Sequence, residues 1–135
     1  MNQIIWKSEY SVGVKEIDLQ HQHFIGLLNE TYEAFEKPQP KEFVQNLIIR
    51  INDYAILHFG TEEKYFDKFN YEFSDEHKEQ HKKLISDLEA LTINFESNGV
   101  GVVPELVDFL DRWLLEHLAV YDRKYIPCFK AHGLS

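Results

Sequence analysis

Seven side chains in this sequence are of a type and spacing that suits metal chemistry. His58 and Glu62 stand four residues apart, and so do His77 and His81. On an α-helix that spacing places both members of a pair on one face, a single turn apart. His21 and His117 supply two more imidazoles, and Asp122 a second carboxylate. A lone histidine on an apolar stripe reads most simply as a hydrogen-bonded core residue. A carboxylate there is different, because stripping water from its charge costs several kcal/mol unless a cation compensates. Glu62 falls on such a stripe with no lysine or arginine on it nearby, so it asks for a metal ion.

The elements that must position these residues are four amphipathic helices. The first carries the stripe Ile17, His21, Phe24, Leu28, Tyr32, Phe35, at close to helical spacing. Asp18 is its expected N-cap, and Lys37-Pro38-Gln39-Pro40 ends it, since proline removes donors and biases its neighbours away from helix. The second begins near Lys41 and carries Val44, Leu47, Ile48, Ile51, Ala55, His58, Glu62, Tyr65, Phe66 and Phe69. Ser74 is the expected cap of a third helix, with Asp75 and Glu76 in a first turn whose dipole favours negative charge. Its stripe is His77, His81, Leu84, Leu88, Leu91, Phe95. Ser97-Asn98-Gly99-Val100-Gly101 breaks it, and Pro104 opens a fourth helix bearing Leu106, Leu110, Trp113, Leu114, His117, Leu118 and Tyr121. Pro127 is expected to end or kink it, leaving a short tail. An irregular arm comes first, with Ile4, Ile5, Trp6 and Tyr10 available to pack over the helices.

Helices at about 18–37, 41–69, 74–96 and 104–126, joined by short loops, imply an all-α, up-down-up-down antiparallel four-helix bundle. One domain across 1–135 is expected. In that topology the start of each helix lies beside the end of its neighbour. His21 is near the start of the first helix, and His58 with Glu62 toward the end of the second. His77 and His81 open the third, and His117 with Asp122 close the fourth. All seven therefore fall at one end of the bundle. One spacing is awkward: His117 and Asp122 are five residues apart, about 140° around a regular helix. Either the Asp122 carboxylate reaches sideways to a second ion, or the helix widens into a π-type turn.

Bulk properties narrow the possible functions. At 135 residues the chain is the size of one domain with a full hydrophobic core. Its net charge of −9 argues against nucleic acid or an anionic membrane as partner. No stretch approaches the roughly 20 apolar residues of a membrane span, and the first residues lack the apolar run of a secretory leader. The single cysteine, Cys128, excludes a disulfide within the chain and fits a reducing cytoplasm. His23, two residues from His21, is expected to face solvent. His132 lies in the tail without a partner motif, and Cys128 reads as a small packing residue.

Seven donors exceed the four that one zinc ion takes. Imidazole with carboxylate and no thiolate suits iron, among other metals. Two octahedral ions offer twelve positions. Five imidazoles, two bridging carboxylates and one shared oxo or hydroxo group fill all but one, which suits a small ligand bound end-on. Ferritin-like di-iron oxidases differ, using four carboxylates and a Glu-x-x-His motif on each of two helices. No histidine here has a glutamate three residues before it. The poorer anionic set favours reversible binding over oxygenase chemistry.

The set His21, His58-Phe59-x-x-Glu62, His77-x-x-x-His81 and His117-x-x-x-x-Asp122 resembles the hemerythrin family, the bacteriohemerythrins in particular. Gly13-Val14-x-x-Ile17-Asp18-x-Gln20-His21 and Trp113-Leu114-x-x-His117 are similar to it too. The resemblance implies reversible O2 binding at a non-haem di-iron centre, for storage, delivery or sensing, in a monomer that is not an enzyme. It implies that His77, His81 and His117 hold one iron, that His21 and His58 hold the other, and that Glu62 and Asp122 bridge them. Phe59, Trp113, Leu114 and Leu118 lie next to these residues or one turn away, and are expected to wall a dry O2 pocket. Phe24 stands where the family more often has leucine, and its ring is expected to narrow that pocket. The competing readings are a di-iron enzyme acting on peroxide, nitric oxide or ferrous iron, and an iron store.

Overall fold

The structure is a computed structural model that describes residues 3–135, so the first two residues of the expected arm lie outside it. All regular elements among the described residues are helical. Helix α1 spans Lys15–Glu36, α2 Lys41–Phe69 and α3 Ser74–Asn98. A 3₁₀ turn, Gly99–Val102, leads into α4, Val103–Arg112. The chain continues without a break through a π-helical segment, Trp113–Tyr121, into α5, Asp122–Lys124, and ends in α6, Ile126–Ala131.

The stops follow from local chemistry. Pro38 and Pro40 separate α1 from α2. Asn70 closes α2 in the left-handed region at φ 49°, where asparagine is among the few side chains tolerated. Gly99 closes α3 at φ 58°, ψ −135°, a conformation that a Cβ would strain. Pro104 stands in the first turn of α4, where its missing N–H costs nothing.

Three expected boundary details are corrected. Asp18 is not the cap of α1, which starts at Lys15. Asp18 lies inside the first turn, and its carboxylate accepts from the Val12 N–H at 2.8 Å and the Ser11 hydroxyl at 2.6 Å, fastening the arm instead. Ser74 is the first residue of α3 and makes no capping bond, because Phe73 occupies the cap position. The fourth helix does not run on to residue 126: α5 stops at Lys124, Tyr125 turns the chain, and Pro127 sits in the first turn of α6, whose Phe129 is buried.

Neighbouring helices alternate in direction, as their contacts show. Glu30 pairs with Arg50 while His21 meets His58, so α1 and α2 run oppositely. The Tyr32 hydroxyl bonds Asp111 while His21 reaches Asp122, so the fourth helix returns against α1 in the same sense. Asn52 faces Thr92 and Glu62 faces His81 across α2 and α3. Asn94 meets Glu105 and His81 meets His117 across α3 and the fourth helix.

Two apolar clusters result. The larger fills the bundle, from Val44, Leu47 and Leu106 to Phe24, Phe59, Trp113 and Leu118. The smaller comprises Val12, Val14, Ile17, Phe66, Tyr71, Tyr125 and Phe129, drawn from the arm, the helix ends and α6. In the arm, Tyr10 is buried, and Ile4 and Trp6 pack on the larger cluster, whereas Ile5 is 77% exposed. Phe35, the last residue of the expected first stripe, is also on the surface. No helix among the described residues is long and apolar enough to cross a membrane.

Candidate metal centre

The structure brings all seven sequence-derived residues together. His21, His58, Glu62, His117 and Asp122 have no solvent-exposed surface, and His77 and His81 retain 2%. They lie where the two apolar clusters meet, with Phe24, Phe59 and Trp113 on one side and Phe66 and Tyr125 on the other. Each arrives on the helix face its spacing dictates, with one exception that the backbone resolves. Between His117 and Asp122 the helix is π-form, and the Asp122 N–H reaches back five residues to the His117 carbonyl. The wider turn brings residues five apart onto one face, so both side chains point inward.

The donor atoms form two groups that share Glu62. Glu62, His77, His81 and His117 make one, and His21, His58, Glu62 and Asp122 the other, with ligand atoms in each within 4.8 Å of one another. Asp122 spans the two. Its Oδ2 lies 3.1 Å from His21 Nε2 and 3.2 Å from His58 Nε2, while its Oδ1 lies 3.0 Å from the Nε2 atoms of both His77 and His117. Oδ1 is nonetheless without a hydrogen-bond partner, as is Glu62 Oε2. His21 and His58 on Asp122 Oδ2, and His81 on Glu62 Oε1, have hydrogen-bond geometry, whereas the two unpartnered oxygens are buried among imidazole nitrogens, a setting that suits a shared third atom. Five imidazoles and two carboxylates without thiolate make a buried metal site, and the residues present fit iron among other ions.

Electrostatics give the same picture. Burial works against the charged forms of Glu62 and Asp122, yet the imidazoles around them outweigh it and hold both well below the usual carboxylate range. Burial also disfavours imidazolium at His117, but Asp122 and Glu62 raise it to about 10. His21 and His77 are raised too, with Asp122 the strongest influence opposing burial. At His58 burial prevails and the shift is downward. Without metal, then, protons on imidazole neutralise the two carboxylates. Metal uptake must displace those protons.

Outer contacts aim the rings. His21 Nδ1 is 2.7 Å from the Tyr10 carbonyl, His58 Nδ1 2.9 Å from Gln20 Oε1, and His81 Nδ1 2.7 Å from Glu63 Oε2. Gln20 is itself held by its amide donating to Thr61 Oγ1 at 3.0 Å. Each bond fixes a ring's outer nitrogen and leaves Nε2 facing the centre, the usual arrangement around a metal-bound histidine. Sequence reasoning did not assign these supporting roles to Gln20, Thr61 and Glu63. Each serves a residue on another helix, and no spacing rule marks such a pairing.

The five expected pocket residues are all buried. The Phe59 ring stacks on His81 with centroids 4.0 Å apart and lies 5.4 Å from His117. Trp113 lies 5.2 Å from both Phe59 and Phe24. Leu114 and Leu118 belong to the same cluster. Tyr54 joins this wall, stacked on His58 at 5.3 Å. It stands four residues before His58, so helical spacing could have found it. His23 is exposed, and His132 stacks on Phe69 at 4.5 Å on the surface, so neither approaches the centre.

The chain is 28% identical over 126 residues to a bacteriohemerythrin of Clostridium acetobutylicum, covering 90% of this chain and 98% of that one. It is 30% identical over 129 residues to a bacteriohemerythrin of Stenotrophomonas maltophilia, covering 96% and 83%. A crystal structure of a hemerythrin point variant superposes with a TM-score of 0.79 at 22% identity, covering 95% and 98%. A second variant gives 0.80. The hemerythrin HHE cation binding domain matches residues 12–129, and the chain accordingly belongs to the hemerythrin family.

Proposed function

We propose that this protein binds O2 reversibly at a pair of iron ions, for storage, delivery or sensing, as a binding protein rather than an enzyme. The observation that carries the reading is the Asp122 carboxylate. Its two oxygens serve two different histidine sets at 3.0–3.2 Å, the disposition of a bridge between two ions. His77, His81 and His117 hold one iron, His21 and His58 the other, and Glu62 is the second bridge. Iron in this centre supplies the electrons and the coordination position that O2 requires.

The chain supplies the rest. Tyr10, Gln20 and Glu63 orient three imidazoles through their outer nitrogens. Phe24, Phe59, Trp113, Leu114 and Leu118 form the O2 pocket and keep water from the centre, which protects the ferrous state between binding events. All seven donors come from one chain, so a monomer is complete. The lone cysteine suits the cytoplasm.

The test is anaerobic loading with ferrous iron, admission of O2 and evacuation, with the visible spectrum recorded throughout. A band that appears with O2 and vanishes on evacuation is expected. Irreversible bleaching with release of peroxide would overturn the carrier reading in favour of an oxidase. In the same preparations His117→Ala should lose most of its iron and His23→Ala none. Two irons retained per chain in His117→Ala would contradict the ligand assignment.

A further inference from the structure

Three imidazoles in the centre give their outer nitrogen to a partner, and the partners are chemically unequal. His21 and His58 use a backbone carbonyl and a neutral amide, from the buried residues Tyr10 and Gln20. His81 uses Glu63, a carboxylate whose side chain is 36% exposed. A carboxylate can only accept here, so His81 Nδ1 carries the hydrogen and Nε2 is left to face the centre.

The placement of Glu63 follows from α2. Glu62 turns into the bundle, and the next residue, about 100° further around the helix, emerges at the seam with α3. There Ile56, Phe59, Gly60, Glu63, His81 and Ile85 line an open depression. A side chain at position 60 would meet nothing within 4 Å, so the α2 wall stays low beside Glu63. Among the described residues, His81 is thus the one donor whose outer partner is a charge in contact with water.

Resting on the di-iron reading above, we propose that Glu63 is a positioning residue for His81. It fixes the tautomer and angle of the ring and, as an anion, makes that imidazole a stronger electron donor to its iron. Outer partners of ligand histidines raise ligand basicity, and their loss typically costs about 10–100-fold in metal affinity. A more basic imidazole favours ferric over ferrous iron, so Glu63 holds the reduction potential of the centre down.

Glu63→Gln keeps an acceptor oxygen and removes the charge, whereas Glu63→Ala removes both. Ferrous iron affinity against a competing chelator, and the midpoint potential of the iron-loaded protein, are measured for each. Glu89→Gln, an exposed acid lining the same depression, is the control for bulk charge. The expected result is near-native affinity with a raised potential in Glu63→Gln, a roughly 10–100-fold loss of affinity in Glu63→Ala, and no change in Glu89→Gln. An unchanged potential in Glu63→Gln overturns the proposal, as does native affinity in Glu63→Ala or an equal rise in Glu89→Gln. The iron content and O2 response of the unsubstituted protein test the underlying reading separately. An unsubstituted protein that holds two irons and binds O2, beside a Glu63→Gln variant of native potential, would refute only the role of Glu63.

Discussion

At the end of the bundle away from the centre, Val44, Leu47, Leu91, Phe95, Val102 and Leu106 bury apolar surface against one another. At the other end five imidazoles and two carboxylates share an equally buried space. The first arrangement is stable by virtue of the chain alone, because burying each large apolar side chain contributes about 1.5–3 kcal/mol. The second gathers groups that water would solvate better, and it needs protons or metal ions to neutralise it. The bundle therefore has one end that folds itself and one end whose integrity is lent by what it binds.

Four experiments would break or sharpen that contrast. The largest effect is expected from stripping iron with a chelator. A ligand at a thousand times its Kd stabilises by about 4 kcal/mol per site, so the thermal midpoint should drop sharply. Amide exchange should quicken around His58, His77 and His117 but not around Leu47 and Leu106. Uniform loosening would mean that the two ends are one cooperative unit. Next comes Leu106→Ala, fully buried at the apolar end. It should cost about 2–5 kcal/mol in denaturant unfolding while leaving two irons per chain. Gln20→Ala should weaken ferrous iron affinity about tenfold or more, and by taking a buried partner from His58 and Thr61 it should lower the stability of the metal-free chain by about 1–3 kcal/mol.

The smallest effect belongs to Arg50→Ala. Arg50 makes a two-pronged bond to Glu30 at 2.7 and 2.8 Å, about one-third exposed on each side. Such surface pairs are worth less than about 1 kcal/mol. Its hydrogen bonds to Arg50 hold the Glu30 carboxyl below its ordinary value. That contribution is present above the unfolded value and fades as pH falls through the folded one. The difference between native and Arg50→Ala stability should therefore shrink in acid, and a difference that grows there would refute the pairing.

What the sequence made legible followed from the helical repeat. Polar residues on apolar stripes marked the seven side chains, and the short connections dictated that neighbouring helices run oppositely and bring them to one end. Even the misfit between His117 and Asp122 was visible as a spacing, and the backbone answers it with the π segment. Contacts that cross between elements stayed hidden. Asp18 reads locally as a helix cap, but the arm folds back and claims its carboxylate. Pro127 reads as a stop or a kink, and nothing local shows that the tail beyond it forms α6, where Phe129 is buried against Tyr125 and Phe66. Glu63 reads as one more surface acid, and only the approach of α3 gives it His81 as a partner.

The widened turn from Trp113 to Tyr121 also sets how the rest of the chain is phased. Held as an ordinary helix with no residue removed, it would leave Asp122 about 140° around from His117 and swing everything downstream with it. Asp122 would leave its place between the two histidine sets. Tyr125 and Phe129, 0% and 1% exposed, would be carried off the Phe66 ring together with it. The one widened turn thus keeps both the centre and the Tyr125–Phe129 packing in phase, whereas residues 37–40 form a surface connection that can absorb a change of length.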